Sequence, residues 1–289
     1  MIPHICLLVN PLAASGRALE VAAQIEAELK QRNIPFDTWV KNWDISFFKS
    51  DNTHHTSYTD IFLVGGDGTL NYYANHYRHV PLPVTFFPGG TGNDLHWMLY
   101  GKKTIKEQID LALTQPAKPF DLGRCNQLYF ANQVGIGFEG IVAKALTNKK
   151  KKPGQKSFKL TVLRKIFFYR SARYTITQDG KIITGRQLLV DICNGQRAGG
   201  GFHVAPQAKP DDGLLDMVIA HAMGPLKRLK YLPVIEKGAH LGLKIIAHET
   251  VTAVTVESDR LIEFHLDGEY HSADKLQITI VAGGLNIKY

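Results

Sequence analysis

Two glycine-rich loops, each directly after a short apolar run, constrain the fold of this chain more than any other feature. The first is Gly65–Thr69 (Gly-Gly-Asp-Gly-Thr), after Ile61–Val64, and the second is Pro88–Asp94 (Pro-Gly-Gly-Thr-Gly-Asn-Asp), after Val84–Phe87. Glycines at the end of a buried strand let backbone N–H groups approach an anion without an intervening side chain. A helix that begins there adds its positive N-terminal end. The pattern therefore predicts two strand–loop–helix units that bind phosphate.

Each loop also carries an acidic residue, Asp67 in the first and Asp94 in the second. A carboxylate repels bare phosphate, but a divalent cation between the two removes that conflict. The pair of loops therefore predicts a site for a nucleotide with its metal ion. A purely structural turn remains the alternative for either loop alone, and the repeated context favours the functional interpretation.

Length and cysteine content predict a cytoplasmic protein of two domains. The chain has 289 residues, and about 100–200 residues per domain is usual. Its three cysteines, Cys6, Cys125 and Cys193, are scattered, which is typical of reduced thiols and not of a disulfide framework or a zinc site. The apolar run at Ile5–Val9 is too short for a signal peptide, and no stretch reaches the roughly 18 apolar residues of a membrane span.

Positive charge is concentrated in one part of the chain. The net charge is +8, and residues 144–173 contain eleven Lys or Arg and no acid, interleaved with Phe and Leu. This composition favours peripheral binding to an anionic membrane surface, with Lys149, Lys150, Lys151 and Lys152 at the headgroups. A solvated helix face is the alternative. Nucleic acid is not expected as a partner, because no recognition motif accompanies the charge.

The first third of the sequence alternates strand and helix patterns. This alternation predicts an α/β domain with a parallel sheet covered on both faces. Ligands of such sheets bind at the carboxyl ends of the strands, where Asn10, Gly65 and Gly89 fall. The predicted strands are Ile5–Val9, Phe36–Val40, Ile61–Val64 and Val84–Phe87.

After about residue 121 the pattern changes to successive strands, which predicts a mainly antiparallel sandwich. Asp179-Gly180 is a hairpin signal, and helices are expected near Phe158–Phe168 and Lys227–Ile235. The predicted strands are Tyr129–Val134, Tyr174–Gln178, Lys181–Thr184, Gln187–Ile192, Leu215–Ala220, Val251–Val256, Leu261–Leu266 and Leu276–Val281.

Two later stretches repeat the combination of glycine and acid. They are the segment from Asn194 to Asp216, which contains Gly199–Gly201 and Asp211–Asp216, and Asp267-Gly268-Glu269. Alone, Asp267-Gly268 indicates only a hairpin turn. In this order the motifs resemble the diacylglycerol kinase catalytic family, which includes sphingosine kinases and bacterial lipid kinases. The matching segments are Val9–Pro11 with Ser15-Gly16, Gly65–Thr69, Pro88–Asp94, Asp121–Gly123, Gly135–Phe138, Asn194–Asp216 and Asp267–Glu269.

The resemblance implies two domains. Residues 1–122, with a return of about 285–289, would form an ATP-binding α/β domain with a parallel sheet, similar to NAD kinase and phosphofructokinase. Residues 123–284 would form an antiparallel β-sandwich that takes the lipid. The implied reaction is Mg²⁺-dependent transfer of the γ-phosphate of ATP to the hydroxyl of diacylglycerol or a related lipid alcohol. The resemblance leaves a homodimer open.

The resemblance also implies roles for particular residues. Asp267 matches the position of the general base. Asp67, Asp94 and Asp121 would organise catalytic Mg²⁺, and Lys209, Asp212 and Leu214 match a structural Mg²⁺ site. The ATP-binding residues would be Asn10, Gly65, Gly66, Asp67, Gly68, Thr69, Thr91, Gly92 and Asn93.

Three positions depart from the family pattern. Tyr72 stands where Glu is usual, Leu95-His96-Trp97 follows Asn93-Asp94 in place of an aromatic-Ala-Arg sequence, and Phe138-Glu139-Gly140 replaces Phe-Asp-Ala. A tyrosine does not replace a carboxylate near a metal. Tyr72 therefore leaves open a regulator that binds nucleotide or lipid with little turnover. The Gly-Gly-Asp-Gly loop, taken alone, also permits a soluble small-molecule kinase, for instance one acting on NAD.

Overall fold

The computed structural model describes residues 3–41, 43, 58–147 and 155–289, without the side chains of 155–159. The chain divides into two compact units. The first unit comprises Met1–Phe120 with Gly283–Tyr289, and the second comprises Asp121–Ala282. The sequence placed the division after residue 122. The predicted membrane-contacting lysines, Lys149–Lys152, lie outside the described residues.

The first unit is built on a parallel sheet. Its strands are β1 (Ile5–Val9), β2 (Phe36–Val40), β3 (Asp60–Gly65) and β4 (Val84–Pro88). They pair in the order β2-β1-β3-β4, and each neighbouring pair is parallel. Every residue of β1 and β3 is buried, which is why these strands read as continuous apolar runs in the sequence.

The described part of the first unit contains four α-helices. They are α1 (Arg17–Gln31), α2 (Asp67–His76), α3 (Asp94–Tyr100) and α4 (Ile105–Thr114). Helix α1 buries an apolar stripe against the sheet, including Ile25 and Leu29, as its 3.6-residue period requires. Helices α2 and α3 begin within the two glycine-rich loops. The sequence did not predict α4, which is capped by Thr104 and Glu107.

The second unit is antiparallel in its described pairs. Its strands are β5 (Lys118–Cys125, which crosses the division), β6 (Leu128–Phe130), β7 (Gln133–Gly137), β8 (Ala172–Gln178), β9 (Lys181–Cys193), β10 (Leu215–His221), β11 (Ile246–Val251), β12 (Ala253–Leu266) and β13 (Glu269–Ile287). The first half of β9 pairs with β8 and its second half pairs with β7. Strand β12 likewise pairs with β8 near its start and with β7 near its end. A large apolar cluster, including Ile176, Ile192 and Phe264, lies among these strands.

Among the described residues, the helices that accompany these strands are α5 (Phe138–Thr147), α6 (Gln155–Phe168) and α7 (Pro225–Glu236). Val142 of α5 packs with Val162 and Ile166 of α6 in a small buried cluster. The guanidinium of Arg228 on α7 donates to the carbonyls of Ile166 and Tyr169 at 2.9 and 2.8 Å. These contacts join the three helices into one group.

The end of β13 belongs to the first unit. Ile287 pairs in parallel with Val84 of β4, and the backbone N–H of Lys288 donates to the Val84 carbonyl at 2.9 Å. The Lys288 ammonium lies 2.5 Å from Asp60 Oδ1 and also donates to the carbonyl of Ala112. Both side chains of this ion pair are largely buried, so residues 283–289 are part of the first unit's core structure.

Candidate functional site

Three predicted loops meet at the carboxyl end of the parallel sheet. The N–H of Asn10, just after β1, donates to the Val64 carbonyl at 3.1 Å, and its side-chain amide donates to Thr69 Oγ1 at 2.9 Å. The N–H of Gly89 donates to the Gly65 carbonyl at 2.6 Å. The strand order reverses direction between β1 and β3, and such a reversal creates a crevice that binds ligands in α/β sheets.

Close backbone approach explains the glycines of these loops. A Cβ on Gly90 would lie 2.4 Å from the Gly66 Cα, and a Cβ on Gly89 would lie 2.7 Å from the Ala18 Cβ. No other residue fits there without moving a neighbouring loop or helix α1. The two glycine-rich loops therefore form one continuous backbone surface.

Some of the predicted ATP-contacting side chains hold this surface in shape. Asn93 has a left-handed φ of 53°, and its side chain bonds both the N–H and the carbonyl of Gly90, at 2.8 and 2.9 Å. Thr69 Oγ1 accepts from the N–H of Gly66 at 3.3 Å. Thr91 and Gly92 are exposed at the tip of the second loop. Backbone N–H groups and the loop tip are thus the surfaces available to a phosphate chain.

Asp67 links the two glycine-rich loops. Its two carboxylate oxygens accept from the backbone N–H groups of Asp94 and Leu95, both at 3.1 Å, at the start of α3. The Asp94 side chain is buried. Carboxylates are the ligands that Mg²⁺ prefers, and Asp67 and Asp94 both lie at these loops. The donor set fits a hydrated Mg²⁺ near these loops.

The part of the chain that the structure describes contains no larger cluster of side chains that could coordinate a metal ion directly. No group of three or more His, Cys, Asp or Glu side chains there is placed to hold a metal ion. Mg²⁺ commonly keeps several waters and uses one or two carboxylates together with substrate phosphates. A water-bridged contact with Asp67 and Asp94 is consistent with that preference.

Asp121, the third predicted member of the metal network, belongs to the second unit. Its N–H donates to the Pro210 carbonyl at 2.6 Å, and its Oδ2 accepts from the N–H of Gly213 at 2.7 Å. The buried Asn194 amide donates to the carbonyls of Asp121 and Ala131, both at 2.8 Å. Asp121 and Asn194 thereby fix the turn around residues 210–213.

That turn carries the predicted structural metal site. Asp212 Oδ1 accepts from the N–H of Leu214 at 3.1 Å, and Gly213 between them has a φ of 74°. The Asp212 side chain is exposed. Carboxylate and carbonyl oxygens, the groups predicted here from Asp212, Lys209 and Leu214, are the ligand types that Mg²⁺ takes.

Asp267 lies in the two-residue turn between β12 and β13. Its φ is 47° and that of Gly268 is 91°, the pair of positive values that a type I′ hairpin requires. Its Oδ2 accepts from the N–H of Ala131 at 2.8 Å, and its Oδ1 accepts from the N–H groups of Asn132 and Gln133, both at 2.9 Å. Three backbone donors therefore fix the orientation of this carboxylate.

Sequence reasoning missed a polar cluster beside Asp267. The His265 Nε2 lies 2.9 Å from Glu139 Oε2, which also accepts from the Gln133 side-chain amide at 2.9 Å. Asp191 is completely buried, and burial, with a smaller effect from the charge of Glu139, raises its pKa well above the usual range. The only sequence signal was Glu139 as a departure from the family pattern.

Two other departures lie in the first unit. Tyr72 is half-exposed on α2, where its ring contacts those of Trp43 and His76. His96 is buried in α3, with Nε2 3.0 Å from Gln108 Oε1. Burial lowers the pKa of His96, and the Gln108 hydrogen bond opposes that effect.

Comparison with known proteins agrees with this arrangement. A model of the diacylglycerol kinase catalytic domain matches residues 4–125, and a model of the YegS C-terminal NAD kinase beta sandwich-like domain matches residues 132–288. The chain belongs to the diacylglycerol kinase catalytic family. Its class is that of a lipid kinase, a phosphotransferase with an alcohol acceptor.

Individual relatives span nearly the full chain. A protein named diacylglycerol kinase from Mycobacterium tuberculosis is 26% identical over 304 residues, covering 99% of this chain and 95% of the relative. A crystal structure of a diacylglycerol kinase from Bacillus anthracis has a TM-score of 0.72 at 22% identity, covering 100% of this chain and 97% of its own. The structure of yeast NADH kinase in complex with NADH has a TM-score of 0.56 at 10% identity, covering 99% of this chain and 83% of the NADH kinase chain. The two structures support the fold alone.

The helices provide one further observation on membranes. Among those in the described ranges, none is both long enough and apolar enough to span a bilayer.

Proposed function

We propose that this protein is an ATP- and Mg²⁺-dependent lipid kinase that phosphorylates the hydroxyl of diacylglycerol or a related lipid alcohol. The observation that carries the proposal is the meeting of the Asn10, Gly65–Thr69 and Pro88–Asp94 loops at the carboxyl end of the first unit's sheet. Under this proposal the first unit is the ATP-binding domain and the second unit takes the lipid.

The loops divide the work on the nucleotide. The N-terminus of α2 and the glycine backbone bind the phosphates, while Thr91, Gly92 and Asn93 border the nucleotide. Mg²⁺ neutralises charge on the phosphates when it is bound. Asp67 and Asp94 hold its water ligands, and Asp121 is proposed to join them.

Asp267 is the proposed general base. The lipid hydroxyl oxygen forms a bond to the γ-phosphorus, the bond from that phosphorus to the β–γ bridging oxygen breaks, and ADP leaves. The hydroxyl proton passes to the Asp267 carboxylate, which must lie within hydrogen-bond reach of the hydroxyl. The three N–H donors at Ala131, Asn132 and Gln133 support this role because they fix the carboxylate's direction.

A structural Mg²⁺ is proposed at the turn of residues 209–214, with the Asp212 carboxylate and the carbonyls of Lys209 and Leu214 as ligands. This site is tested by the midpoint of thermal unfolding. Mg²⁺ is expected to raise the midpoint of the wild type and not that of Asp212→Ala, since a ligand that binds only the folded state stabilises it. Equal shifts in both proteins would remove Asp212 from the site.

Exposed apolar residues of the second unit support the proposal that it contacts an anionic membrane. Phe167 and Phe168 near the end of α6 and Leu226 at the start of α7 are exposed, and Phe168 and Leu226 are 77% and 79% accessible. Exposed cations lie within a few residues of them in the sequence: Arg164, Arg170, Lys227 and Lys230. Apolar side chains interspersed with basic ones are typical of helices that lie in a headgroup region. The sequence adds Lys149–Lys152 to the same segment.

Vesicle binding tests the membrane contact. Replacing Lys149–Lys152 by Ser is expected to weaken binding to anionic vesicles, by up to about 1 kcal/mol per lysine. The matched control is Lys102→Ser with Lys103→Ser, two exposed lysines of the first unit. Binding that ignores both the Lys149–Lys152 change and added salt would leave the lysines as a solvated segment.

The kinase proposal is tested by transfer of labelled γ-phosphate from ATP, with Mg²⁺, to lipids in mixed micelles. The panel contains diacylglycerol, monoacylglycerol, ceramide, a sphingoid base and phosphatidylglycerol, with NAD as the soluble acceptor. Label in a lipid is expected, and Asp267→Asn should abolish it while ATP still binds. Label in NAD alone would select the soluble small-molecule kinase. ATP binding with no labelled product would select the regulator.

A further inference from the structure

One row of residues crosses three strands of the second unit beside the Asp267 turn. Gly135 of β7 pairs with Asp191 of β9 on one side and with His265 of β12 on the other. Side chains at directly opposite positions point to the same face of a sheet, so Asp191 and His265 flank Gly135 on one face. A Cβ on Gly135 would lie 2.3 Å from His265 Nε2 and 2.4 Å from Glu139 Oε2. The missing side chain is what admits the His265–Glu139 pair.

The hydrogen bonds of His265 define its tautomer. The backbone N–H of Gly268 points at Nδ1 from 3.1 Å. Because that group can only donate, Nδ1 must be the unprotonated acceptor. The ring proton is then on Nε2, which donates to Glu139 Oε2 at 2.9 Å.

These bonds close into a ring that contains the proposed base. The Gln133 side chain donates to Glu139, and the Gln133 backbone N–H donates to Asp267 Oδ1. The N–H of Asp267 donates to the Gln133 carbonyl at 3.0 Å. The N–H of Gly268, the next residue, donates to His265 Nδ1 and so completes the ring. The Asp267–Gly268 turn is thus held from β7 on one side and from His265 on the other.

We propose that His265 is a positioning residue, which in its neutral Nε2–H form, anchored by Glu139, holds the Asp267–Gly268 turn in the orientation needed for transfer. The inference rests on the proposed function in giving Asp267 the role of base. His265 itself makes no contact with the reacting atoms. It acts only through the Gly268 N–H.

Two substitutions at His265 separate positioning from general structural loss. His265→Ala removes the acceptor, and misplacement of a catalytic group costs up to about 100-fold in rate, so kcat should fall while KM for ATP stays unchanged. His265→Asn supplies a side-chain oxygen that can accept from the Gly268 N–H, as such residues do in tight turns. It should therefore restore most of kcat.

The control is His221→Asn, at a histidine of the second unit whose Nδ1 bonds Gln187; its kcat should match the wild type. Equal kcat in His265→Ala and the wild type would overturn the inference. So would a kcat in His265→Asn that is as low as in His265→Ala.

A measurement independent of activity decides the hydrogen bond itself. In protein labelled with ¹⁵N-histidine, the resonance lost in His265→Asn identifies His265, and its shifts at pH 7.5 should report an Nε2–H tautomer. The Gly268 amide should exchange slowly in the wild type and rapidly in His265→Ala. An Nδ1–H tautomer, or equal exchange in both proteins, overturns the inference even if lipid is phosphorylated. If no lipid is phosphorylated, the proposed function fails, and these two spectra alone decide whether His265 holds the turn.

Discussion

Gly66 and Gly90 show how a single residue can be required for two separate reasons. The sequence predicts glycine at both positions for access of an anion to the backbone. The structure adds a steric reason, since a Cβ on Gly66 would lie 2.9 Å from the Gly90 Cα, and a Cβ on Gly90 would lie 2.4 Å from the Gly66 Cα. Gly66 has an ordinary φ of −104°, so its identity follows from close approach and not from backbone strain.

Replacing Gly90 by Ala is expected to weaken ATP binding and to slow transfer. The new methyl group would force the two loops apart, and overpacking of this kind costs about 1–3 kcal/mol. Calorimetric titration with ATP and Mg²⁺ measures the loss. Gly242→Ala is the matched control, because a Cβ there meets no atom within 4 Å. Wild-type affinity in Gly90→Ala would show that the loops tolerate separation.

The lowered pKa of His96 predicts how the stability of the first unit depends on pH. Burial lowers its pKa, so between its folded value and the unfolded value of about 6.5 only the unfolded chain carries the proton. The free energy of unfolding is therefore greatest above pH 6.5 and decreases as pH falls through that value, by up to about 1.4 kcal/mol per pH unit.

Urea unfolding at pH 7.5 and 5.5 tests this effect. His96→Phe should reduce the loss of the first unit's stability on acidification, since Phe does not titrate. His240 is a buried histidine of the second unit with a similarly lowered pKa, and His240→Phe should leave the first unit's pH response unchanged. The same pH response in His96→Phe and the wild type would contradict the assignment.

Among helices and strands, those with local signals could be predicted. Strands β1, β3 and β4 read as apolar runs because they are buried. Two predicted strands, Lys181–Thr184 and Gln187–Ile192, are one strand in the structure, since Gly185 continues the ladder opposite Tyr174. The predicted strand Tyr129–Val134 is instead broken at Ala131 and Asn132.

No local sequence pattern could have predicted the break at Ala131 and Asn132. The N–H groups of Ala131 and Asn132 donate to Asp267, about 135 positions later in the chain. The polar cluster beside Asp267 also depends on a contact between residues distant in sequence, since His265 and Glu139 are 126 positions apart. Sequence motifs could therefore predict the phosphate-binding loops and Asp267, but not the contacts that orient Asp267.

Helix α2 carries the clearest test of the regulator alternative. Tyr72 lies one turn after Gly68, and Tyr72→Glu would restore the carboxylate that is usual in the family. We expect faster phosphate transfer in Tyr72→Glu, at the cost of ring contacts with Trp43 and His76. Tyr72→Phe keeps those contacts without adding charge and should match the wild type. A slower or unchanged rate in Tyr72→Glu would mean that the tyrosine suits this enzyme's own reaction.

Over the chain as a whole, the first unit depends on residues far from the rest of it in sequence. Lys288 forms a largely buried ion pair with Asp60, and Ile287 pairs with β4. Only the family resemblance predicted this return, because a single apolar residue and a lysine carry no periodic signal.

Lys288→Met is expected to lower the free energy of unfolding by about 3–5 kcal/mol, because it leaves Asp60 buried without its cation. Urea unfolding of the full chain measures the change. Lys275→Met removes a lysine that pairs with Glu257, where both side chains are nearly half-accessible, and should cost less than about 1 kcal/mol. Similar losses in the two variants would show that burial of the Lys288–Asp60 pair is unimportant.

Because β13 runs from the second unit into the first, it also determines when each unit can complete its fold during synthesis. Residues 283–289 leave the ribosome after all of residues 121–282, so the growing chain can finish its later unit while the earlier one still lacks a piece. During that interval the outer edge of β4 has no strand beside it, and an uncovered edge can pair with other chains. The nascent protein is therefore most exposed to aggregation in the half it makes first.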